Sequence, residues 1–178
     1  MPQGTPLTEV IVEDPAWTAA LPALEDIAEA AARAALEGAG QTPAGQEIAV
    51  LACDDARIAA LNASFRAKET PTNVLSWPAQ VLSPGAPGEA PPPAPAGRPL
   101  GDLAIAHGVC TAEAAAAGLT LKDHTFHLIL HGCLHLLGYD HEHDADARLM
   151  EGIESRAMQR LGLHDPYGEG DAGLPRST

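Results

Sequence analysis

The stretch HGCLHLLGYDH, residues 131–141, holds three histidines in the pattern H-x3-H-x5-H. Imidazoles serve as metal ligands, proton carriers or buried hydrogen-bonding groups, and spacing helps decide among these. On a helix, His131 and His135 lie four residues apart and share one face. Gly138 then stops the helix and permits a sharp turn, after which His141 can swing back toward the pair. Three neutral imidazoles with an open fourth position form the ligand set of a catalytic zinc site rather than a structural one. The competing reading, three unrelated core or surface histidines, needs this helix-plus-glycine arrangement by accident. Leu134, Leu136 and Leu137 also offer dry packing around the site.

His127 precedes His131 by one turn on the same face. It reads as a fourth ligand, a proton shuttle or, preferably, a packed group that supports a ligating imidazole. Asp140 can share that supporting role. His124 and His143 read as solvated, while His107 and His164 carry little signal. The zinc-protease signature HExxH places its general base directly after the first histidine. Here that position is Gly132, so ordinary zinc-protease chemistry lacks its base. Glu142 and Asp144 are close in sequence but not in that geometry.

These side chains need a frame. TEVIVED alternates like a strand. LPALEDIAEAAARAALEGAG reads as a helix with Leu24, Ile27, Ala31 and Ala34 at helical spacing, closed by Gly38 and Gly40. QEIAVLAC is a second strand. Asp54 and Asp55 are N-cap candidates for ARIAALNASFRA, a helix with Ile58, Leu61 and Phe65 expected inward. KETPTN is turn chemistry, and VLSW and LGDLAIA are strands. A short helix is predicted over 111–117. An apolar helix follows from near Asp123, burying Phe126, Ile129, Leu130, Cys133, Leu134 and Leu137. A last helix turns Leu149, Ile153 and Leu161 inward. Residues 79–99 are dominated by Pro, Ala and Gly and read as a flexible insertion. The tail is expected to fray after Asp165 and to be disordered after about residue 167. The expectation is one α+β domain spanning 1–178, a small mixed sheet packed with helices, with the histidines on a core helix and the turn after it.

Net charge is −14, which alone argues against a nucleic-acid partner. Its distribution says otherwise. Residues 1–55 carry net −9 and residues 101–178 net −7, but residues 56–100 carry Arg57, Arg66, Lys68 and Arg98 against Glu69 and Glu89, net +2. An anion-binding surface belongs in that window. Cys53, Cys110 and Cys133 form no disulfide framework. No apolar run approaches the length of a membrane span, and the N-terminus does not read as a signal peptide. A cytoplasmic chain with reduced thiols is expected.

HGCLHLLGYDH resembles the hallmark of the bacterial YbeY family of rRNA maturation factors, single-domain metal-dependent endoribonucleases. LNASFRAKETPTNVLSWP (61–78), the LGDLAIA strand (100–106) and LGLHDPY near the end are similar to further blocks of that family. The likeness runs over roughly residues 7–167. Departures are the Pro/Ala insertion, the acidic balance, and Trp77 where the family often has phenylalanine. The resemblance implies one Zn2+ per chain at His131, His135 and His141, and a part for Arg66 in RNA chemistry. It also implies 16S rRNA 3′-end processing and ribosome quality control. The implied partners are ribosomal RNA and the small ribosomal subunit, with docking through a ribosomal protein or an assembly GTPase. No membrane or DNA partner is expected.

Phosphodiester cleavage needs a nucleophile, stabilisation of developing charge, and a proton for the leaving oxygen. A three-histidine zinc can lower the pKa of a water from about 15.7 to about 7 and polarise a phosphoryl oxygen. Arg66 offers a planar fork for two phosphate oxygens, and Lys68 a point charge for a neighbouring one. Thr72 and Asn73 either orient substrate or simply form the turn. The general acid and base stay unassigned, the nucleophile is water or the RNA 2′-hydroxyl, and imidazoles suit several divalent ions besides zinc. Two other readings stand beside the zinc-dependent endoribonuclease. One is a ribosome-assembly factor with a mainly structural metal. The other is a metallohydrolase of another substrate class.

Overall fold

The computed structural model describes residues 4–168. The expected tail beyond Gly168 lies outside the described residues. Three strands rich in β-branched and aliphatic residues, β1 (Thr8–Val12), β2 (Glu47–Cys53) and β4 (Pro99–Ala106), run parallel. A fourth, β3 (Val74–Pro78), pairs antiparallel with β4, giving the order β1-β2-β4-β3. The sheet is thus mixed, and β3 is an edge. Central β4 buries Leu103 to Ala106 without a break, the signature of a strand covered on both faces.

Helices supply both covers. On one face α2 (Leu24–Gly38) packs against α5 (Leu121–Leu136), and their apolar stripes close over Ile48, Val50, Leu103 and Ile105. On the other face α3 (Asp55–Arg66) lays Ile58 over Cys53, Leu75 and Ala104. α4 (His107–Ala117) and α6 (Asp144–Arg160) complete the domain. Among the described residues no helix is long and apolar enough to cross a membrane.

Several boundaries differ from the sequence reading. A six-residue helix, α1 (Pro15–Ala20), was not foreseen. Asp14 caps it, Pro15 starts it, and buried Trp17 donates to the Cys53 carbonyl at 2.9 Å. α4 starts at His107, directly after β4, rather than at 111. α5 starts at Leu121 because Thr120 caps the Asp123 amide at 3.1 Å. Asp54 caps α3, whereas Asp55 accepts from the Val109 amide. Leu161, expected inward, is 51% exposed because α6 has already ended at Arg160.

The insertion carries no helix or strand before Pro99, yet it is fastened to the body. Pro91 is buried and Ala94 packs against the main core. Gly88 N–H donates to Asp146 at 2.8 Å, and Ala94 N–H to Gln41 at 3.1 Å. At the other end of the chain Tyr167, expected in the frayed region, is held by hydrogen bonds to Asp165 and Glu154.

Candidate metal centre and its cleft

α5 is buried on nearly every side, so its histidines sit on a rigid rod. The helix ends at Leu136, and Gly138 follows at φ +96°, where a side chain would be strained. A Cβ there would also lie 1.7 Å from the Leu82 carbonyl oxygen. This turn returns His141 to the other two. The ring centroids of His131 and His135 are 4.6 Å apart, of His135 and His141 5.1 Å, and of His131 and His141 5.8 Å. One nitrogen from each ring falls within 4.8 Å of the others.

Hydrogen bonds assign the nitrogens. His131 Nδ1 lies 2.5 Å from a carboxylate oxygen of Glu154, and His135 Nδ1 lies 3.0 Å from the Tyr139 carbonyl. Both partners are acceptors, so both Nδ1 atoms carry the proton and both Nε2 atoms present lone pairs. Those two Nε2 atoms are 3.1 Å apart. Facing lone pairs repel, and a shared cation resolves the repulsion. Tetrahedral zinc with Zn–N near 2.0–2.1 Å separates its ligands by roughly 3.3 Å, close to what the fold provides. Burial pushes the His135 imidazole down to about 3, with the neighbouring His131 and His141 adding to the effect. His135 is therefore neutral, as a ligand must be, near pH 7.

The residue that sequence reasoning missed is Glu154. It is fully buried on α6, with its second oxygen accepting from the Tyr167 hydroxyl at 2.5 Å. Burial would raise its carboxyl, but His131 and His127 overcome this and hold it well below the usual range. A carboxylate gripping the far nitrogen of an imidazole fixes ring orientation and raises its basicity. The signal was legible: Glu154 interrupts the inward stripe of Met150, Ile153, Ala157 and Met158, and glutamate is almost never buried unless paired. His127, expected to support a ligand, is buried with Nε2 3.6 Å from Glu154, beyond hydrogen-bonding distance. Asp140 lines the cleft and accepts from the His141 amide at 2.7 Å, so its tie is to the turn's backbone.

Gly132 has a packing reason. A Cβ there would lie 2.9 Å from Leu103 and 3.4 Å from Val74, so the position faces the sheet. A glutamate base would fit neither the space nor the direction. His124, expected in solvent, is 0% exposed, with Nε2 2.8 Å from Glu113. Glu113 also accepts from Asn73, whose own oxygen caps the Val74 amide at 2.7 Å. Asn73 is therefore a structural pin at the start of β3.

A cleft of about 500 Å³ opens beside the histidines, lined by Arg66, Ser76, His135, Tyr139, Asp140 and His141 among others. Arg66 stands at the C-terminal end of α3. Directly after it Ala67 turns left-handed at φ 55°, and Asn62 holds the following loop through the Thr70 carbonyl at 2.9 Å. The structure thus brings Arg66 and two of the three histidines to one cavity. Lys68 is exposed and Thr72 half-buried, and neither lines the cleft. Phe65, expected in the core, is instead 64% exposed and meets Trp77 edge-on at 5.4 Å. Near the end of α3 it reaches only the edge strand, whereas Ile58 packs over Cys53, Leu75 and Ala104.

The chain is 54% identical over 163 residues to endoribonuclease YbeY of Dinoroseobacter shibae, covering 89% of each chain. It is 52% identical to that of Ruegeria pomeroyi, covering 89% of this chain and 96% of the relative. A solution structure from Thermotoga maritima overlays with a TM-score of 0.49 at 16% identity, covering 91% of this chain and 99% of that one. The family described as Endoribonuclease YbeY matches residues 13–162, and with the three histidines in place this chain belongs to that family.

Proposed function

We propose that the chain is a zinc-dependent endoribonuclease that matures ribosomal RNA at the 16S 3′ end and takes part in ribosome quality control. As a member of the endoribonuclease YbeY family it is a nuclease, a hydrolase acting on RNA. The observation that carries the reading is one cleft shared by Arg66, His135 and His141. Metal ligands and a phosphate-binding fork in one cavity suit a charged diester better than a peptide.

His131, His135 and His141 would hold the ion. When bound there, it polarises a phosphoryl oxygen and lowers the pKa of a water. Glu154 keeps the His131 ring in its ligating tautomer, and the Tyr139 carbonyl does so for His135. Arg66 meets charge that develops on the phosphate oxygens, where a preorganised donor acts most strongly. Asp140 and Glu142 are the carboxylates lining the cleft, positioned to carry a proton to or from the reacting oxygens.

The net charge of −14 leaves little non-specific attraction for RNA. Docking on the small ribosomal subunit through a ribosomal protein or an assembly GTPase, in the cytoplasm, fits that balance. The same charge favours a second reading, an assembly factor whose metal mainly holds the fold. Incubating purified protein with defined RNA and with casein, with and without chelator, decides between them. Chelator-sensitive RNA cleavage with casein intact supports the nuclease. Intact RNA with a chelator-sensitive melting temperature supports the assembly factor.

A further inference from the structure

Aromatic residues are few in this chain: two each of Phe, Tyr and Trp. Trp17, Phe126 and Tyr139 are buried, and Tyr167 is bonded to Glu154. Phe65 is the exception at 64% exposed. Its contact is Trp77 on the edge strand β3, with centroids 5.4 Å apart and planes at 67°. An edge-on pair covers at most one face of one ring, so π surface stays open to solvent. Trp77 packs against the smaller core cluster beneath α3, which fixes the pair in place.

Location gives the exposed ring a use. Phe65 directly precedes Arg66, which lines the histidine cleft. Trp77 lies between Ser76 and Pro78, which line the same cleft from the other face of β3. The pair and the cleft therefore occupy the two sides of one edge strand, with Arg66 at the crossing. Exposed Lys68 is two residues further on, inside the chain's net-positive window. A flexible anionic chain draped over this edge meets the aromatic pair before its phosphate reaches Arg66.

We propose that Phe65 and Trp77 form a stacking platform for an unpaired nucleobase of the RNA strand entering the cleft over the β3 edge. The proposal rests on the endoribonuclease reading and assigns the residues on which a base of that substrate would stack. Bases are free to stack only where they are not paired. Stacking is tolerant of base identity, so the platform carries no sequence preference.

Binding tests this separately from cleavage. The probe is a fluorescein-labelled, single-stranded 2′-O-methyl oligoribonucleotide, read by anisotropy with the metal-loaded protein, its length checked on a gel afterwards. Phe65→Ala is expected to weaken binding by about 5- to 150-fold, the range for one lost base stack. Phe65→Leu should match Phe65→Ala, and Phe65→Tyr should stay near wild type. The same strand with abasic sites should bind wild type weakly and gain nothing further from Phe65→Ala. Metal content and melting temperature should be unchanged, because the ring is mostly solvated. Phe65→Leu binding within two-fold of wild type would overturn the proposal, as would absence of RNA binding. So would Phe65→Ala converting a dimer to a monomer with RNA affinity unchanged. Aromatic-dependent binding without cleavage would uphold the platform and sink the nuclease. Cleavage that ignores Phe65 would do the reverse.

Discussion

The histidine centre and the arginine rim face one cleft but are held in opposite ways. His131 and His135 stand on a helix with twelve buried residues, and each has its far nitrogen engaged by an acceptor. Arg66 stands on the last turn of a helix whose next residues, Ala67 to Pro71, are all exposed. A metal tolerates little error in ligand position, so its ligands are fixed by packing before the ion arrives. The segment after Arg66 is instead open to solvent, tied back by Asn62 at the Thr70 carbonyl. The buried half should thus report on metal and stability, and the exposed half on RNA alone.

Removing a ligand should produce the largest effect. His131→Ala or His135→Ala should abolish both stoichiometric zinc, read by elemental analysis, and RNA cleavage. The melting temperature should fall as well, since bound metal adds its binding energy to the folded state. Full metal in both variants would break the contrast at its base. Next, Arg66→Ala should keep zinc and fold while cleavage falls by about 10²–10³, the usual loss for one preorganised donor. Arg66→Lys should recover only part, because a point charge lacks the bidentate fork. If Arg66→Ala cleaves within a few-fold of wild type, the rim has no part in the chemistry.

Glu154→Gln sharpens the buried side. It keeps the shape but loses the charge that holds His131, and zinc affinity in a competition titration should fall by about 10- to 100-fold. An unchanged affinity would make Glu154 a packing residue. Acidity gives a smaller, graded signal. The His135 pKa is depressed from 6.5 to about 3 by burial, so between those values the unfolded chain binds a proton that the folded one does not. Stability of the chelated protein should therefore be full above about pH 6.5 and decline as pH falls toward 3. A flat thermal profile across that window would show that His135 is more solvated than its surroundings indicate. The smallest effect belongs to the insertion. Replacing residues 84–95 with a short Gly/Ser linker should lower the melting temperature by a few degrees and leave zinc content alone. Loop closure changes by only about 0.6 kcal/mol per doubling of length. The loss should come from the packing of Pro91 and Ala94 and from the hydrogen bonds that Gly88 and Ala94 make to the body.

The parts read correctly in advance were those set by local periodicity. A four-residue interval on a helix followed by a glycine turn specifies three histidines at one point with no knowledge of the rest of the chain. The same holds for the inward stripe of α5. Phe65 went wrong because hydrophobicity gives only a tendency toward burial. Ile58 meets the inner strands of the sheet, whereas Phe65, two turns on, reaches only Trp77 on its edge strand. His124 failed in the other direction. A polar ring is buried when a distant partner satisfies it, and that partner, Glu113, is on another helix.

By itself, then, the sequence determined the histidine triad, the turn that closes it and the positive window around Arg66, because each depends on residues near one another in the chain. Only the tertiary structure decided what orients the triad. Glu154 is 23 residues from His131, and Tyr167 another 13 beyond. No local spacing encodes a contact of that range. It exists because α6 packs the fully buried Glu154 carboxylate against α5, where water is excluded and a charge must find a partner.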